Sequence, residues 1–183
     1  MGRYLRDSRA RTTAPDQSAA HLRTLSGEHD ELKVAFANTT SDDVETLVQI
    51  RIEAMRESLE RIGRFDPVRA RERFLASFEP AQCRYILVDG VRAGFLLIRP
   101  EPGHLQLAHL YIVPAHQGKG AGAVVLEAVL ADADAQRLPV RLNALRDSDS
   151  NRFYQHHGFV KTGEDEWDIY YVREPRTVAA PSA

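Results

Sequence analysis

The chain is poor in cysteine: Cys83 stands alone among 183 residues. That excludes an intramolecular disulfide and a multi-cysteine zinc site, and it suits a reducing compartment, so a cytoplasmic location is expected. Long apolar runs are missing as well. None approaches the roughly 18 residues of a spanning helix, and residues 1–20 lack the apolar stretch of a secretory signal. No membrane partner is expected. Nor does one charge dominate: 24 Lys and Arg stand against 26 Asp and Glu, a formal −2, which leaves no global positive field to hold a polyanion. Nucleic acid is therefore not an expected partner. The seven histidines show no HExxH or Cys/His spacing, and adjacent His156 and His157 would point about 100° apart on a helix. No metal is expected.

What is present is ordinary globular material, 43% hydrophobic and 27% charged, enough to build a core without staples. Residues 1–28 are rich in Arg, Ser, Thr and Ala, and residues 174–183 resemble them; both read as flexible tails around one domain at 29–173. Within it, residues 31–37 read as a first strand. Ser41 reads as a helix cap before an amphipathic helix with Val44, Leu47, Val48, Met55, Leu59 and Ile62 on one stripe. A second helix starts near Pro67 and reaches Phe78. Asp89-Gly90 between two apolar runs predicts a β-hairpin with a primed turn, and residues 104–113 a longer strand. Residues 117–122 form a glycine-rich loop feeding a helix, and residues 139–145 the next strand. That strand, crossover helix and strand predict a parallel pair inside an otherwise antiparallel sheet. A short helix over 147–157, a strand over 159–162 and a last strand over 167–173 complete the chain.

Glycines at 118, 120 and 122 let backbone amides converge at a helix start, an arrangement that holds a phosphate. The P-loop pattern is absent, since Gly120 follows Lys119. The dinucleotide pattern GxGxxG/A is formally met by Gly118, Gly120 and Ala123, with Asp147 near the distance of a ribose-binding acid. However, Pro114–Gln117 separates the strand from these glycines, and little chain remains for a doubly wound sheet.

The segment VPAHQGKGAGAVVLEAVL resembles the acyl-CoA signature Q/R-x-x-G-x-G/A of the GNAT acetyltransferase superfamily, and DSDSNRFYQHHGF resembles its N-x-x-A-x-x-F-Y-x-x-x-G-F segment. Asp147 and Ser150 depart from that second pattern. The resemblance runs in element order from about residue 31 to 173. It implies an α+β fold: a mixed, mostly antiparallel sheet with one parallel pair splayed around an acetyl-CoA cleft, and helices on both faces. It further implies an N-acetyltransferase moving acetyl from acetyl-CoA to a primary amine of a small molecule or peptide, with a homodimer among the expected assemblies. The alternative is an acyl-CoA-binding module without turnover.

Under that resemblance, Gln117, Gly118, Lys119, Gly120, Ala121 and Gly122 would hold the pyrophosphate, and the backbone of Tyr111, Ile112 and Val113 the pantetheine, with Asp147 and Tyr154 also at the cofactor. Tyr154 would protonate the departing thiolate. Residues 105–114 carry no carboxylate, which leaves His109 as the nearest proton acceptor. Alternation would place His109 with Leu107 and Tyr111 unless a bulge intervenes. Met55, Phe65, Tyr111 and Trp167 would wall the acceptor site, with Glu53 and Glu57 on one helical face beside them.

Overall fold

The computed structural model describes residues 32–176; the expected N-terminal tail, and all but residues 174–176 of the C-terminal one, lie outside them. The elements are β1 (Val34–Asn38), α1 (Val44–Arg61), α2 (Pro67–Leu75), β2 (Cys83–Val88), β3 (Val91–Glu101), β4 (His104–Ile112), α3 (Ala121–Gln136), β5 (Val140–Leu145), α4 (Ser150–His156), β6 (Val160–Glu164) and β7 (Asp168–Arg173). They build one seven-stranded sheet in the order β1-β2-β3-β4-β5-β7-β6. Every neighbouring pair is antiparallel except β4 and β5. The expected mixed sheet with helices on both faces is the fold.

Each face has its own core. Val125, Leu126, Val129 and Ala133 of α3 and Tyr154 of α4 pack on Leu105, Leu107, Val140, Leu142 and Ala144. On the opposite face Leu47, Val48 and Ile50 of α1 and Phe74 of α2 pack on Tyr85, Phe95 and Leu97. The α1 stripe thus buries its first turns; Met55, further along, is only half-buried.

Local chemistry moves several expected boundaries. Thr40, not Ser41, caps the turn before α1: its N–H donates to the Asp43 carboxylate at 2.8 Å, and Asp43 also accepts from the Tyr85 hydroxyl at 2.9 Å. Those two hydrogen bonds hold the Asp43 carboxyl below its ordinary range. The second helix ends at Leu75, so Phe78 lies beyond it and stacks on Phe74 with ring centroids 5.4 Å apart. Asp147 sits at φ +64°, outside helical space, so α4 begins only at Ser150. The primed hairpin turn forms as expected, with Asp89 and Gly90 both at positive φ.

The Arg176 N–H donates to Asp134 at 2.7 Å, beside the pairing of Asp134 with buried Arg173. The last described residues are thereby tied to α3.

Candidate functional site

β4 and β5 pair only at Leu105↔Val140 and Gln106↔Arg141, then diverge. The cause lies on the other side of β4. Leu97 opposes His109 while Ile98 opposes Leu107, so Ala108 is an extra residue, a bulge that bends β4 away from β5. Between the two strands opens a cleft of about 640 Å³, within the usual size of a small-molecule site.

The bulge also resets the alternation. Leu107 stays with Leu105 on the α3 face, whereas Ala108, His109 and Tyr111 face α1 and α2. His109 therefore stacks on Tyr111, with centroids 5.4 Å apart at 27°, but does not share a face with Leu107. Phe74 and Phe95 close around the same imidazole at 5.5 and 5.9 Å. Its Nε2 is buried with no partner among the described residues. Burial first, then the charges of Arg51 and Arg99, push the His109 pKa down to about 3. At neutral pH His109 is therefore uncharged and a weak base, which counts against the proton-acceptor role expected for it.

One end of the cleft is the loop before α3. Gly118 and Gly120 lie at φ +72° and +86°, conformations that a side chain strains, and Gly120 caps the helix. The first helical bond runs from the Val124 N–H to the Gly120 carbonyl at 3.1 Å. The amides of Ala121, Gly122 and Ala123 are thus left at a helix start, where the dipole favours an anion. Gln117 braces the loop, donating Nε2–H to the Ile112 carbonyl at 2.6 Å. Lys119 turns back to the Ala115 carbonyl at 2.9 Å and does not line the cleft.

Backbone pairing decides which β4 groups face the gap. The Val113 N–H donates to Ala93 at 2.8 Å, and Tyr111 pairs with Phe95. Alternation then turns the backbone of Leu110 and Ile112 toward the cleft. Val113 is accordingly spent on β3 and absent from the lining.

Tyr154, from α4, lines the cleft and is buried. Burial, and secondarily Tyr111, raise its pKa, so the phenol keeps its proton as a donor. Cys83 is buried and its thiol is pushed up to about 11, which leaves no thiolate for an acyl-enzyme. Of the remaining expected residues, Tyr111, Ile112, Gln117, Gly118, Gly120, Gly122 and Met55 line the cleft, and Ala121 and Asp147 do not. Phe65 lies under the Arg56 guanidinium at 4.5 Å and Trp167 under Arg64 at 2.9 Å; neither reaches the wall.

Sequence reasoning missed the β5 side. Asn143, Ser148, Asp149 and Ser150 line it, and Arg61 of α1 reaches Asp149 at 3.8 Å. Asn143 was findable, as the polar position between inward Leu142 and Ala144. Among the described residues no group of His, Cys, Asp or Glu is arranged to hold a metal, and no helix is long and apolar enough to cross a membrane.

Residues 80–161 match the family model of the acetyltransferase (GNAT) domain. Solved structures share the fold at low identity. The PaiA N-acetyltransferase of Thermoplasma acidophilum, in complex with coenzyme A, is 19% identical over 77% of this chain and 98% of its own, with a TM-score of 0.63. An acetyltransferase from Thermus thermophilus is 19% identical over 77% of this chain and 96% of its own, at 0.61. The ribosomal-protein-S18-alanine N-acetyltransferase of Escherichia coli is 13% identical over 82% of this chain and 98% of its own, at 0.60. No curated protein matches the sequence.

Proposed function

We propose, from the premise that this chain carries an acetyltransferase (GNAT) domain, that it transfers acetyl from acetyl-CoA directly to a primary amine of a small molecule or peptide. The observation that carries this reading is the split between β4 and β5, with free helix-start amides at one end and a protonated tyrosine in its wall.

In this reading acetyl-CoA supplies an activated thioester. The amides after Gly120 and the backbone of the Gln117–Gly122 loop take the pyrophosphate, and the cleft-facing groups of Leu110 and Ile112 take the pantetheine. The Ile112 N–H polarises the thioester carbonyl. As the amine nitrogen bonds to that carbon and the C–S bond breaks, Tyr154 donates a hydrogen bond to the leaving sulfur. The amine's proton passes to water in the open cleft, because neutral His109 does not hold it. The coenzyme A complex of the Thermoplasma acidophilum structure supports the choice of carrier.

Calorimetry with acetyl-CoA, followed by thiol release against a broad amine panel, tests the reading. Binding and release are expected, with Tyr154→Phe slowing transfer about tenfold or more while leaving acetyl-CoA affinity nearly intact. No binding and no release would reject it. A second reading, a binding module without turnover, draws on the missing carboxylate of β4 and the weak basicity of His109. Tight acetyl-CoA binding with no transfer to any acceptor would favour it.

A further inference from the structure

Two arginines at the end of α1 reach across to the far bank of the cleft. Arg61, in the last turn, pairs with Asp149 at 3.8 Å, and both residues line the cleft. α1 packs on the sheet face opposite α3, whereas α4, which Asp149 precedes, packs with α3. The pair therefore spans the opening from one helix layer to the other. Three residues on, Arg64 makes a second crossing. Its guanidinium lies over the Trp167 ring at 2.9 Å and meets Glu166 at 3.5 Å, in the turn between β6 and β7.

The two banks are held differently. The β6–β7 turn is braced from within: the Asp165 carboxylate accepts the N–H groups of Trp167 and Asp168, both at 2.7 Å, and the Arg146 guanidinium donates to the Asp165 carbonyl. From the α1 side only the two arginine side chains cross. Each ion of the inner crossing also has a second partner on its own element. Arg61 meets Glu57 at 3.4 Å, one turn back along α1, and Asp149 meets Arg152 at 3.9 Å on α4. When the crossing breaks, neither charge is left alone. Exposed pairs of this kind contribute little individually, and salt screens them. Opening therefore costs little and needs no change of backbone: the guanidinium passes from Asp149 to Glu57. In the N-acetyltransferase reading a cleft of about 640 Å³ holds both the carrier's arm and the acceptor, so the bulk of an acceptor decides whether it fits beneath the crossing.

We propose that Arg61 and Arg64 form a clasp that sets acceptor specificity: slender small-molecule amines reach the thioester beneath it, and a polypeptide amine reaches it only when the clasp opens. This rests on the N-acetyltransferase reading and deepens it by naming the acceptor class, an unbranched primary amine of a small molecule, and the residues that select it.

The test uses the full chain, its Arg61→Gln/Arg64→Gln variant and the swapped pair Arg61→Asp/Asp149→Arg, all checked for unchanged far-UV circular dichroism. Trp167 is the only tryptophan, so its emission reports the clasp without any ligand. Raising salt from about 0.05 M to about 0.5 M should shift that emission in the parent chain and leave it unmoved in Arg61→Gln/Arg64→Gln. Thiol release is then compared for butylamine and for the amide of trialanine. The ratio of kcat/KM for the peptide to that for butylamine is expected to rise about threefold or more in Arg61→Gln/Arg64→Gln, chiefly through peptide KM, and to rise in the parent chain at the higher salt. The swapped chain keeps a crossing pair but sets like charges beside Glu57 and Arg152, so its ratio should fall to the parent value or below. An emission in the parent chain that ignores salt, or a ratio equal in the parent and in Arg61→Gln/Arg64→Gln, would overturn the proposal. A parent chain that binds no acetyl-CoA, or that binds it while no protein acetylates either amine, would defeat the underlying reading instead; the tryptophan emission reads the clasp in either case.

Discussion

Enclosing an imidazole with three aromatic rings has a cost that pH can expose. His109 has its pKa depressed to about 3 in the folded chain, against about 6.5 when unfolded. Between those values the unfolded chain binds a proton that the folded chain refuses, so stability rises with pH through this window and the penalty vanishes above it. At pH 5 it amounts to about 2 kcal/mol. Replacing His109 with Gln, which does not titrate, should lift stability at pH 5 relative to pH 7.5 by about that amount compared with the parent chain. Urea unfolding at the two pH values measures the difference; an equal pH response in both proteins would mean that the ring is not excluded from water. His109 also marks where residue-level reading reached its limit. Its type and its nearness to the cleft were legible in residues 105–114, but its face and its charge were not, because both depend on Ala108 and on Phe74 and Phe95 from distant parts of the chain.

At the scale of elements, β4 does the work of opening the sheet. Ala108 and His109 both face α1 and α2, so deleting Ala108 would keep every later side chain on its present face while removing the bend. The expected product is a folded chain in which β4 stays alongside β5, with acetyl-CoA binding reduced about tenfold or more as the cleft narrows. Circular dichroism and calorimetry together check this; binding at full strength would show that the split has another cause. The neighbouring strand is tuned to the same region. A methyl group on Gly94 would lie 1.9 Å from the Tyr111 carbonyl oxygen, a backbone atom that cannot step aside. Gly94→Ala should therefore cost about 1–3 kcal/mol as β3 and β4 are forced apart, measurable by chemical denaturation. Most elements were legible from alternation and turn chemistry, as Asp89-Gly90 shows. The bulge was not, since LQLAHLYI alternates acceptably in either register and only pairing with β3 reveals the extra residue.

Across the molecule, α3, β7 and the last described residues are joined at one buried ion pair. Arg173 is 4% exposed and donates to Asp134 at 2.9 Å through Nη2. The hydrogen bond from Arg173, ahead of that from the Arg176 backbone, holds the Asp134 carboxyl below its ordinary range. Asp134→Ala would leave a guanidinium unpaired in the core, and a loss of about 3 kcal/mol or more is expected in denaturant unfolding. A near-neutral result would mean that water reaches Arg173. The overall order of strands and helices was readable because two motifs and the crossover helix fixed the parallel pair. The closure of the C-terminal segment on Asp134 was not, because residues 174–176 give no periodic signal. The account as a whole turns on one carrier seated at the entrance to α3. Calorimetric titration of acetyl-CoA into the parent chain and into Gly120→Ala addresses it directly. One site per chain is expected, weakened about tenfold or more in the variant, whose left-handed cap at φ +86° would be strained and its amides misaligned. Equal affinity in the two proteins, or no heat from either, would contradict it.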